Sequence, residues 1–118
     1  MPESILRSKS YDFALRTVNL SRYLVDNKGE YVLSKQVLRS GTSIGANVEE
    51  ASQAQSRRDF LHKLSIALKE ATETNYWLRL LRDSKTLEKK IADSMISDCE
   101  QIQKILSASI RTVKGDTR

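Results

Sequence analysis

A chain of 118 residues can bury one hydrophobic core but is too short to divide into two, so residues 1–118 are expected to form a single domain. One proline and four glycines leave almost no punctuation for strands and tight turns, while abundant Ala, Leu, Ser, Lys, Arg and Glu favour long helices. The formal charge of +5 permits a polyanionic partner without requiring one, and its even spread, +2 over residues 1–59 and +3 over residues 60–118, excludes a basic tail.

The first ten residues, MPESILRSKS, contain no apolar run of leader length. No stretch approaches the roughly 20 apolar residues needed to span a bilayer. The single cysteine, Cys99, falls on an apolar helical stripe with no intramolecular disulfide partner. The chain is therefore read as a reduced cytoplasmic protein with no membrane partner.

Four helices are predicted, over about 4–26, 32–53, 57–82 and 86–113. The first carries Phe13, Thr17, Leu20 and Leu24 on one stripe, with Ala14, Val18 and Val25 beside it, and Gly29 as its stop. The second has Leu33, Val37, Ile44, Val48 and Ala51 as its core stripe. Gly41 and Gly45 interrupt that helix, at roughly 1 kcal/mol each relative to alanine, which predicts that another backbone approaches there. Ser56 followed by Asp59 resembles a capping box and starts the third helix. The seam of that helix, Phe60, Leu64, Ala67, Ala71, Leu78 and Leu81, keeps the spacing of left-handed bundle packing, with Thr74 in its one apolar gap. The fourth places Leu87, Ile91, Met95, Cys99, Ile102, Leu106, Ile110 and Val113 in register and closes at Gly115. Short connections between four helices predict an all-α, left-handed, antiparallel up-down-up-down four-helix bundle.

Bundles of this kind often hold two metals, using inward carboxylates and a Glu-x-x-His motif on two helices. Here His62 is the sole histidine, three residues after Asp59. It reads as an exposed imidazole and Asp59 as a cap, so no metal and no cofactor is expected. Cys99 has no activating base in sequence reach, and neither a phosphate-binding glycine loop nor a nucleophile, base and orienting group can be assembled. An enzyme is the class least supported.

Two polar groupings remain. On the second helix, Gln36, Ser43, Asn47 and Glu50 share one flank, with Arg39 close by. This row reads as an interface, an anion site or a broad solvated face; as an interface it would form a buried network running from Arg39 to Glu50. On the third helix, Glu70 and Glu73 lie in a second, otherwise apolar face with Ile66, Trp77 and Leu80. General acid and base work is conceivable for this pair, but carboxylates on such a face are normally paired, and Arg39 is the cation offered. Trp77 is either core or a contact with another subunit, where Trp is enriched.

Ser43-Ile44, Asn47 and Glu50, then Asp59-Phe60, Leu64, Ala67, Glu70 and Glu73, preceded by Lys9-Ser10-Tyr11-Asp12-Phe13-Ala14, resemble the bacterial four-helix-bundle family that includes proteins encoded in intervening sequences of 23S ribosomal RNA genes. The likeness runs over residues 10–107. Where many members have Glu-Gly after the Asn, this chain has Glu49, Glu50 and Ala51. The family also resembles the accessory protein of diversity-generating retroelements, a pentameric bundle whose basic surfaces engage nucleic acid and a reverse transcriptase.

The expectation is a non-catalytic homo-oligomer, a pentamer by that resemblance, since the helix-three and helix-two faces exceed what one bundle covers. RNA or DNA binding through phosphate contacts would fall to Arg16, Arg22, Arg57, Arg58 and Lys63. The alternative is a scaffold that docks on a partner protein, such as a nucleic-acid enzyme, without touching nucleic acid itself.

Overall fold

The computed structural model describes residues 2–115; the last three residues of the expected domain, 116–118, lie outside the described residues. Helices α1 (Pro2–Lys28), α2 (Leu33–Ser52), α3 (Arg57–Asp83) and α4 (Lys89–Gly115) account for almost all of it. Each helix packs on its sequence neighbours and α1 also packs on α4, and among the described residues the backbones do not approach closely across either diagonal. That is the up-down-up-down bundle with a square cross-section. Its extents of 49 × 20 × 20 Å match helices of 27 residues, which span about 40 Å at roughly 1.5 Å per residue.

The core is one cluster drawn from all four helices. It is built on Phe13, Leu20 and Leu24 of α1, Val37, Ile44 and Val48 of α2, Leu64, Ala71 and Leu78 of α3, and Met95, Cys99, Ile102 and Leu106 of α4. Most residues of the predicted stripes are buried, and one is exposed. Ile91 is 39% exposed, and Ala92 and Ile96 take its place in the core. The physical reason is the start of the helix. Leu87 is buried in the link before α4, and its N–H bonds Leu81 O at 3.0 Å, so α4 begins at Lys89 and turns Ile91 toward the α1 flank. Leu33, Phe60 and Val113 are half-buried.

Local chemistry sets the helix ends. Gly29 adopts φ 63° and its N–H bonds Val25 O, closing α1. The Glu30 side chain then accepts from the N–H groups of Leu33 and Ser34 and caps α2. Ser56 Oγ accepts from Asp59 N at 3.0 Å and opens α3. After α3, Lys85 N bonds Arg82 O and Thr86 N bonds Leu81 O, the Schellman pair, with Lys85 itself at φ 62°.

The glycines of α2 serve the predicted close approach. A Cβ on Gly41 would stand 2.4 Å from Thr17 Cγ2, and one on Gly45 would stand 3.2 Å from Ser10 O. The hydroxyls of Ser10 and Thr17 turn back to their own helix carbonyls, so α1 presents a satisfied surface to α2. Across α2 and α3, Thr74 Oγ1 bonds Ser40 Oγ at 2.8 Å in the interior. Cys99 is buried, its Sγ donates to Ala71 O at 3.2 Å, and burial pushes its thiol up to about 12. At neutral pH the folded chain holds it as an inert thiol.

Candidate functional site: the seam between α2 and α3

Arg39 projects from α2 and is about half exposed, yet both ends of its guanidinium are engaged. Nη1 bonds Glu70 Oε2 at 2.9 Å and Nη2 pairs with Glu73 Oε2. Glu70 and Glu73 stand three residues apart, so they share one face of α3 and one planar fork reaches both. Glu70 is only 12% exposed, which makes its cation a requirement of burial more than a surface ornament. Trp77 Nε1 donates to the same Glu73 carboxylate at 2.9 Å, one turn further along α3. The Tyr76 ring meets Trp77 edge-on at 5.3 Å, and Arg79 lies over Tyr76 at 5.8 Å.

The electrostatics follow from these contacts. Donation from the Trp77 indole, followed by the Arg39 hydrogen bond, holds the Glu73 carboxyl below its ordinary value. The bond to Glu73 in turn raises the Arg39 guanidinium. A carboxylate depressed in this way and held by a guanidinium is a poor general acid or base at neutral pH. The cluster is a charge clamp: it joins α2 to α3 and fixes the Trp77 ring on the outside of the seam.

The rest of the α2 row behaves differently. Ser43 Oγ donates to Arg39 O at 2.7 Å and Asn47 Nδ2 to Ser43 O at 2.8 Å, both within the helix. Glu50, exposed, pairs with Lys63 of α3 at 2.9 Å, and that bond raises the Lys63 ammonium. Gln36 is half-buried on the same flank. Within the chain, then, Asn47, Ser43 and Arg39 are linked one turn at a time through backbone carbonyls, and Glu50 is not joined to them. The hydroxyl and the amide satisfy themselves on local carbonyls, and Glu50 reaches across to α3.

The five cations expected to meet nucleic acid do not form one patch within the chain. Arg16 is tied to Asp98 at 2.6 Å and to Ser94 at 3.3 Å, and Lys63 to Glu50. Arg57 and Arg58 are exposed in the first turn of α3. Arg22 is exposed near the end of α1, at the opposite end of the bundle. His62 is exposed, and among the described residues no group of three His, Cys, Asp or Glu side chains is placed to hold a metal. Among the described residues no helix is long and apolar enough to cross a membrane. Tyr76 was missed in the sequence because it lies off the periodic face, and only its place beside Trp77 pointed to it.

An all-α up-down-up-down bundle with an ion-clamped outer seam defines the class. The chain belongs to the 23S rRNA-intervening sequence protein family, whose model matches residues 3–108. It is similar to a Bacteroides thetaiotaomicron VPI-5482 protein of unknown function from the S23 ribosomal protein family, solved by crystallography at 1.70 Å. The two are 50% identical, with a TM-score of 0.93 over 94% of this chain and 99% of that one. No curated protein matches the chain.

Proposed function

We propose that this protein is a non-catalytic helical bundle that works by self-association in the cytoplasm, with the α2/α3 seam as a contact surface. The observation that carries this reading is the clamp. Arg39 neutralises two carboxylates inside an otherwise apolar face, beside which Tyr76 and Leu80 stand exposed next to the half-buried Trp77. The family resemblance supports a ring of five, which would carry five times +5, or +25. Light scattering is expected to return an oligomer at micromolar concentration, and Leu80→Asp is expected to reduce it to the monomer mass. Trp77→Asp should do the same, but it also removes the bond to Glu73, so Leu80→Asp is the cleaner variant. A wild-type chain that stays at 13.4 kDa would sink the proposal.

Phosphate-backbone binding is a second reading, supported by the exposed Arg57 and Arg58 at the head of α3, which an assembly would repeat around its axis. RNA affinity is then expected to fall steeply with salt and to weaken in Arg57→Gln/Arg58→Gln. Salt-independent binding, or no complex at low salt, rejects it. If RNA is not bound while the oligomer forms, the surface serves as a docking platform for a partner protein, such as a nucleic-acid enzyme.

A further inference from the structure

The α1/α4 seam is the sparsest of the four, and polar side chains bridge it near its middle. Lys9 Nζ donates to Gln101 Oε1 at 3.3 Å, while Arg16 Nη1 donates to Asp98 Oδ2 at 2.6 Å and to Ser94 Oγ at 3.3 Å. Residues 9 and 16 stand about two helical turns apart on α1, so the two bridges frame a window between the helices. The window opens on a cleft of about 190 Å³, walled also by Asp12, Phe13 and Ile102. Phe13 and Ile102 are buried and make its floor.

Charge in this cleft balances in number but not in place. Arg16 and Asp98 neutralise each other across the seam. Lys9 has an amide for its partner and no carboxylate, and Asp12 pairs with no cation among the described residues. Lys9 and Asp12 stand three residues apart and share a face of α1, yet the Lys9 ammonium reaches across the seam to Gln101 and not back to Asp12. The competing arrangement, Lys9 turned back on Asp12, is an exposed pair within one helix and among the weakest of ion pairs, so a ligand has little to displace.

The two unmatched charges have opposite needs. A simple anion would serve Lys9 and be repelled by Asp12, and a simple cation would meet the reverse. A molecule that carries both charges a few atoms apart serves both at once. The Lys9 ammonium has three N–H donors, so it can take a carboxylate while it keeps Gln101. The size of the cleft limits the choice further: about 190 Å³ lies below the roughly 300 Å³ at which pockets for drug-sized ligands begin. The floor of Phe13 and Ile102 then offers an apolar wall to a short aliphatic group.

We infer that the α1/α4 cleft is a binding site for a small zwitterion of the α-amino acid class, its carboxylate held by Lys9 and its ammonium by Asp12. The site lies on a different seam from the Arg39 clamp and does not depend on the self-association proposed above.

The test is a titration of the full chain with L-alanine, followed by saturation-transfer NMR on the ligand, which reads weak binding whatever the size of the protein. Saturable binding is expected with a Kd of about 1 mM, the alanine methyl receiving the strongest transfer from the apolar floor. Acetate and ethylamine, each carrying one of the two charges, are expected to bind at least about tenfold more weakly. Asp12→Asn and Lys9→Gln lie at exposed positions, so both should keep the wild-type melting temperature, and each should weaken L-alanine at least about tenfold. No transfer to L-alanine at about 50 mM overturns the inference. Ethylamine or acetate that binds as tightly as L-alanine overturns it too, by showing a site for one charge only. So does an L-alanine affinity unchanged in both variants, since binding then lies elsewhere on the chain.

Discussion

Gly41→Ala is expected to lower the stability of the bundle by about 1 to 2 kcal/mol, even though alanine is the better helix former. Propensity alone would favour the change by roughly 1 kcal/mol. Against it stands the contact of 2.4 Å that the new Cβ would make with Thr17 Cγ2. That methyl cannot swing aside, because the Thr17 hydroxyl is bonded to Ala14 O at 2.7 Å and the branched side chain has few rotamers. The two helices must separate instead, and overpacking of this kind costs about 1 to 3 kcal/mol. Thr17→Ser keeps the hydroxyl and removes the methyl, so in the Gly41→Ala background it should recover part of the loss. A double-mutant cycle by urea unfolding reads this as a coupling energy. Equal stability of wild type and Gly41→Ala would show that α1 and α2 are not held at glycine distance.

The second large effect is expected at Arg39. Arg39→Ala strands Glu70, largely buried, beside Glu73, and two carboxylates without a cation disfavour the folded state. Since the guanidinium itself is half exposed and screened, the loss should be about 1 to 2 kcal/mol at neutral pH, below that of a fully buried pair. Arg39→Lys should restore only part of it, because a point charge cannot bridge two carboxylates as a planar fork does.

The pH dependence has a definite sign. Glu73 titrates below its ordinary 4.5 in the folded chain, so its contribution is complete above that value. It is lost as the pH falls through 4.5 toward the depressed folded value, because the unfolded chain takes up its proton first. Wild-type stability is therefore expected to drop on acidification through this window, and that of Arg39→Ala to drop less. Trp77, the single tryptophan, reports the transition directly by fluorescence. Parallel pH profiles for the two proteins would count against the clamp.

Much of the fold was legible because helical periodicity and end chemistry are local. The stripe Phe13, Thr17, Leu20, Leu24, the stop at Gly29 and the cap at Ser56 each depend on residues a few positions apart. Gly41 and Gly45 could be read as points of close approach, but Thr17 and Ser10 as the groups approached could not, since nothing in a sequence fixes how one helix slides on the next. The same ignorance of relative height hid the Glu50 to Lys63 and Arg16 to Asp98 pairs, and the Ser40 hydroxyl that meets Thr74. Lys85 escaped for a different reason: the left-handed position it occupies is ordinarily marked by glycine, and here the Schellman hydrogen bonds hold a lysine there. Ile91 was misplaced because Ile91, Ala92, Met95 and Ile96 offer two overlapping stripes, and only the late start of α4 selects between them.

The sparse α1/α4 seam also bears on how the chain folds. Three of the four seams join helices that follow one another, so they can form as hairpins closing short loops, at little cost in chain entropy. The fourth must bring together the first helix and the last, closing the longest loop in the molecule for the fewest contacts. Opening there is the least costly local excursion from the native state, with α2 and α3 remaining as the more persistent hairpin. A ligand that binds the closed α1/α4 seam and not the opened one would, by mass action, add its binding free energy to the stability of the whole chain.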